Sequence, residues 1–214
     1  MQTRNNNTLW LKADNWQAVL EDPEVLPPPI REHLEAENTR TEAWLGGAES
    51  RQWILDELKA TIRDSDESVP VTEGPYRYWQ RFEAGAEHPD FLRQKDHADL
   101  ELLLSGDQRA ADAAYYDVGS ADHSPDHQYF AVTEDLQGSE RYTLSIFPAG
   151  EDQPIETPLT DCRGDFEWSS DSTKLLYTRL DANQRPSSVW CHRLGTAQTA
   201  DRLVFELDHP GRFI

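Results

Sequence analysis

A chain of 214 residues, 37% hydrophobic and with seven each of Trp, Tyr and Phe, has enough apolar surface for a folded core, which excludes a disordered tail. Its net charge of −20, from 40 acidic against 20 basic residues, repels nucleic acid and anionic membranes, so neither is expected as a partner. The same surplus favours cationic partners or a salt-adapted cell, and lysine stands only at Lys12, Lys59, Lys95 and Lys174.

The opening residues, Met1 to Asn7, lead into no apolar stretch, and no run reaches membrane-spanning length. Cys162 and Cys191 have neither metal-ligand spacing nor a paired framework, so reduced thiols and a cytoplasmic location are expected.

The first part reads as helical. Asp14 and Asn15 are placed to cap a short turn through Trp16 and Leu20. Pro27-Pro28-Pro29 then suits a helix start, where a missing N–H costs nothing. Ile30, Leu34, Thr41, Trp44 and Leu45 recur at roughly helical spacing before the stop at Gly46-Gly47. A second helix from about Ser50 places Trp53, Ile54, Leu58 and Ile62 on one face, and both stripes need a cover.

The period changes near Val69-Pro70. Tyr76, Tyr78 and Phe82 alternate in part with Arg77, Trp79 and Arg81, between Gly74-Pro75 and Gly85, as in a strand. Leu100 to Leu104 is a short apolar run followed by an Ala-rich link. Tyr142, Leu144 and Ile146 alternate with Thr143 and Ser145, which predicts a half-buried strand. The expected domains are a helical extension, 1–68, and a β region, 69–214.

Two segments of the β region are variants of one pattern. Ser124-Pro125-Asp126-His127 precedes Tyr129-Phe130-Ala131-Val132, and Ser169-Ser170-Asp171-Ser172 precedes Lys174-Leu175-Leu176-Tyr177. Asp126 and Asp171 lie 171 − 126 = 45 positions apart, and Phe130 and Leu175 keep that offset. A period of about 45 residues with several short strands per unit is that of a β-propeller blade. The fold class expected is therefore mainly β with N-terminal helices: a partial propeller of about two to three blades, the front of a larger protein.

Several groups of residues invite a chemical reading. Asp122, His123, Ser124, Asp126 and His127 offer imidazoles and carboxylates to a metal, or a Ser beside a base. His123 and His127 would share a face on a helix, but Pro125 and the strand after it argue for a turn. Asp64, Asp66 and Glu67 lack the glycine that a calcium loop needs, since Val69 stands at its sixth position, so a solvated turn is expected. His192 reads as a packed or edge histidine, Trp44 and Trp53 as core or domain-contact residues. Arg77, Arg81 and Arg93 read as partners of the surplus acids. No catalytic, cofactor-binding or metal-binding residue is assigned.

Set in order, further motifs give the chain a resemblance. They are Leu34-Glu35-Ala36-Glu37-Asn38, Ser65 to Pro70, Gly74-Pro75-Tyr76-Arg77-Tyr78, and Gly85 to Pro89 with Arg93. Ser124 to His127, Gly138-Ser139-Glu140, Leu176 to Asp181 with Arg185-Pro186, Val189 to Thr196 and Asp201 to Phe205 follow. Together they resemble the N-terminal part of the prolyl oligopeptidase family of serine peptidases, and within it the oligopeptidase B group.

That resemblance implies a seven-bladed propeller capping an α/β-hydrolase domain, against which the helical extension packs. It further implies cleavage of short peptides after Arg or Lys by a Ser, Asp and His triad in the hydrolase domain. No Gly-x-Ser-x-Gly occurs in the 214 residues, so this stretch lacks the nucleophile elbow and is expected to be inactive alone. Its expected role is to restrict access to short cationic peptides, with the hydrolase domain as its partner. A stand-alone interaction module built from early blades is the alternative.

Overall fold

The computed structural model describes residues 8–45, 48–208 and 214. The readings of Met1 to Asn7 and of the Gly46-Gly47 stop lie outside the described residues. The chain forms two compact units, 1–63 and 64–214. The division falls ahead of Val69-Pro70 because Asp66 and Glu67 already pair in a sheet.

In the first unit, helices α1 (Trp16–Glu21), α2 (Pro28–Trp44) and α3 (Ala48–Thr61) follow one another. Pro28 opens α2, where its lost N–H is one of the unpaired donors of any first turn. Asn15 does not cap α1 through its side chain. Its amide instead donates to the Val25 carbonyl at 3.0 Å, holding the α1–α2 connection. Ile30 is buried, but Leu34, Trp44, Leu45, Trp53, Ile54, Leu58 and Ile62 all stay exposed. Trp44, at 84% exposure, and Trp53 are therefore not core residues.

The second unit is almost wholly antiparallel sheet. Strands β1 (Asp66–Glu67) and β2 (Val71–Glu73) both pair with β3 (Tyr76–Phe82), which pairs with β4 (Asp90–Lys95), and β4 with β5 (Glu101–Ser105). Ser68 joins β1 to β2 as one broken strand: its N–H donates to the Gln80 carbonyl and its Oγ accepts from Gln80 N, each at 2.9 Å. Pro70, which has no N–H to offer a ladder, sits in the break. A short helix, α4 (Gly106–Ala110), leads into the Ala-rich link.

The second sheet runs in sequence order through β6 (Asp117–His123), β7 (Tyr129–Asp135), β8 (Tyr142–Pro148), β9 (Leu159–Trp168), β10 (Lys174–Leu180), β11 (Pro186–Arg193) and β12 (Arg202–Glu206). β9 serves two units. Leu159 and Cys162 pair with β8, whereas Phe166 to Trp168 pair with β10, and Cys162 also stands opposite Arg179 of β10. The strand bends at Asp161 (φ 57°) and Gly164 (φ 101°). The sheet is thus two four-stranded blades joined through one bent strand, and with the first sheet the described residues hold three blades.

The 45-residue offset is reproduced bond for bond. Ser124 N donates to Tyr129 O and Ser169 N to Lys174 O, each at 2.9 Å. The Ser hydroxyls donate to Asp126 and Asp171 at 2.6 and 2.7 Å. His127 (φ 62°) and Ser172 (φ 57°) occupy the same left-handed position. Successive turns also touch, since the Ser172 hydroxyl accepts from Asp126 N at 3.0 Å.

Packing between blades sets burial. Phe130 and Val132 on one face of β7 join Phe91, Leu103, Leu104 and Phe147. Ala131 on the other face joins Leu144, Leu159, Cys162, Leu175 and Tyr177. The middle blade is covered on both faces, so Ser145 of β8 is buried along with Leu144 and Ile146, and β8 is not the half-buried strand that alternation predicted. Inner strands β6 and β9 meet so closely that a Cβ at Gly119 would lie 2.8 Å from both the Gly164 Cα and its carbonyl oxygen. Gly119→Ala is expected to cost about 1–3 kcal/mol through overpacking. An unchanged denaturant midpoint would show that the two strands can separate freely.

Candidate functional site

The richest cluster of chemical groups lies where the turn ending β6 meets the first blade. His123, the last residue of β6, is buried and stacks on the Tyr78 ring at 3.8 Å between centroids. Its Nε2 lies 3.3 Å from the Glu73 carboxylate. After Pro125 the left-handed backbone at His127 brings that ring back beside the first, with the centroids 5.0 Å apart. The two histidines therefore meet across a turn rather than along a helix.

His127 Nδ1 lies 2.8 Å from the Tyr78 hydroxyl. Arg93 is buried; it donates to the His127 carbonyl at 2.7 Å, pairs with Glu101 at 2.6 Å, and its guanidinium sits 4.4 Å from the centroid of the Tyr76 ring. The turn before β3 must come under His127: Gly74 has φ 55°, and a Cβ there would lie 2.5 Å from His127 Nε2. Glycine is thus required on both counts. Beside these groups lies a cavity of about 240 Å³ lined by Val71, Glu73, Tyr78, Phe91, Asp122 and His123. A wider one, of about 550 Å³, runs along β6 from Asp117 to Asp122 with Gln80, His88 and Phe166.

Electrostatics follow the geometry. Burial raises the Tyr78 phenol to about 12, against the opposing pull of Arg93. Burial, then His123 and Arg93, hold His127 below its ordinary value. Burial raises the Asp122 carboxyl, although it accepts from His123 N. Asp126 stays low because hydrogen bonds from Ser124, Gln128 N and Ser172 outweigh its burial. Ser124 itself is committed to the turn, accepting from Tyr129 N at 2.9 Å.

Among the described residues no three His, Cys, Asp or Glu side chains gather as a metal-holding set. Asp66 and Glu67 lie on β1. Arg81 bonds Glu83 and Arg93 bonds Glu101, whereas Arg77 donates to the Gln94 amide oxygen rather than to an acid. His192 is fully buried on β11, its Nδ1 2.7 Å from Asp201 and its Nε2 2.9 Å from Glu156. Tyr177 donates to the other Asp201 oxygen at 2.7 Å. Sequence reasoning missed this network, since Glu156 lies 36 residues from His192.

Residues 2–214 match the family described as prolyl oligopeptidase, N-terminal beta-propeller domain. The chain belongs to that family. Protease 2 of Moraxella lacunata is 28% identical over 95% of this chain and 29% of its own length. Dipeptidyl aminopeptidase BI of Pseudoxanthomonas mexicana is also 28% identical, over 95% of this chain and 30% of its own. Oligopeptidase B from Leishmania major superposes with a TM-score of 0.76 at 26% identity, over 94% of this chain and 28% of that one. Oligopeptidase B from Trypanosoma brucei, at 22% identity and a TM-score of 0.74, shares the fold. The chain thus spans less than a third of these relatives, and its three blades correspond to part of the family's propeller.

Proposed function

We propose that this chain is the N-terminal, propeller-side part of a serine oligopeptidase and controls which peptides reach the catalytic domain, supplying no chemistry itself. The observation that carries this reading is the family match over residues 2–214, joined to similarity with oligopeptidase B and protease 2 across nearly the whole chain. Cleavage after Arg or Lys is part of the proposal, as is a cytoplasmic setting with the free thiols Cys162 and Cys191 reduced. The net charge of −20 supports it, since a negative surface raises the capture rate of cationic peptides and loses that effect in salt. The polar cavity along β6, with Asp117, Ser120 and Asp122, supports passage of a charged chain.

The exposed stripe of Trp44, Trp53, Ile54 and Leu58 supports a hydrolase domain as the partner of the helical unit. The proposal is tested with the purified chain and fluorogenic Arg peptides. No turnover and no labelling by a serine-directed phosphonate are expected, because an acyl-enzyme needs an activated nucleophile. Turnover blocked by the phosphonate would overturn the division of labour.

A further inference from the structure

We propose that the joint between the first and second blades is an acid-sensitive latch, closed while His127 is neutral and released when it takes up a proton. The joint is built by groups from five strands and one turn. β2 supplies Glu73, β3 supplies Tyr76 and Tyr78, β4 supplies Arg93 and Lys95, β5 supplies Glu101, and β6 with its turn supplies Asp122, His123, Asp126 and His127.

The Tyr78 phenol keeps its proton to about 12, and its oxygen lies 2.8 Å from His127 Nδ1, a bond that the neutral ring makes with either tautomer. A protonated ring carries N–H on both nitrogens, so it can only donate to the Tyr78 oxygen, and the phenol must turn its own O–H away. Protonation also adds a cation beside Arg93 and His123, both of which already disfavour the charged ring. Glu73 and Asp126 pull the other way and less strongly. The apolar contacts of Phe91 with Phe130 and Val132 are untouched, so acid loosens the β2–β3 end of the joint and leaves the rest packed.

The sign follows from linkage. A histidine held below its ordinary value of about 6.5 stabilises the closed joint above that pH, and the contribution is lost as pH falls through the lower value in the folded chain.

The test is hydrogen exchange of the full chain from about pH 7.5 to about pH 5, corrected for intrinsic rates. Residues 71–82 are compared with residues 174–193 in the same sample. Protection of 71–82 is expected to fall by roughly tenfold more than that of 174–193. His127→Gln, uncharged at every pH, should abolish that difference. The His127 ring titration, read by carbon NMR in the wild-type chain, should fall below about 6.5. An equal response of the two segments, a wild-type response retained in His127→Gln, or a His127 midpoint at or above about 6.5 would each overturn the latch. So would a response that survives His127→Gln and vanishes in His123→Gln, since the His123–Glu73 contact would then be the switch.

Discussion

Replacing His192 by alanine is expected to cost about 3–5 kcal/mol, because it leaves two buried carboxylates facing each other without the ring that bonds both. Asp201 and the His192 ring are fully buried, and Glu156 nearly so. Both ring nitrogens lie within hydrogen-bond reach of a carboxylate. Glu156 also accepts from Gly195 N at 2.7 Å, so the network ties the loop before β9 to the turn after β11, in consecutive blades. A loss of this size rivals a domain's whole stability of about 5–15 kcal/mol. Adding Glu156→Gln should recover part of it, since one stranded charge is removed, and a double-mutant cycle reads the coupling. Additive single effects would show that the three groups do not act together.

Two adjacent leucines give the second large effect. Leu175 and Leu176 stand side by side on β10, but Leu175 is 0% exposed in the core shared by the second and third blades while Leu176 is 39% exposed. Leu175→Ala should cost about 2–5 kcal/mol through lost burial and the cavity left behind. Leu176→Ala should cost under about 1 kcal/mol, because its site is open to collapse and to water. Denaturant midpoints for the pair test the strand register, since a slip of one residue would exchange the two results.

Local signals were legible in the sequence, and long-range partners were not. The Ser-x-Asp pattern at an offset of 45 became two turns with matching hydrogen bonds, because those bonds are made within six residues of chain. Pro28 opened its helix for an equally local reason. Alternation misjudged β8, since a strand between two blades buries Ser145 as well as Leu144, and periodicity does not reveal what covers the second face. The pairing of His127 with Tyr78 spans 49 residues and depends on a turn that reverses the chain, so no spacing rule could propose it. The apolar stripes on α2 and α3 were correctly read as apolar, yet the described structure leaves them exposed.

Control of peptide access is measured most directly in protease 2 of Moraxella lacunata with its matching segment, 29% of its length, exchanged for this chain. Arg-containing peptides of rising length and a folded protein serve as substrates, and labelling by a serine-directed phosphonate reports that the catalytic part is intact. A labelled chimera is expected to cleave short peptides within about tenfold of the parent's kcat/KM, roughly 1.4 kcal/mol in transition-state terms, and to leave the folded protein uncut. A labelled chimera that cuts the folded protein as readily as the short peptides would contradict such control, as would one that cuts no peptide at all.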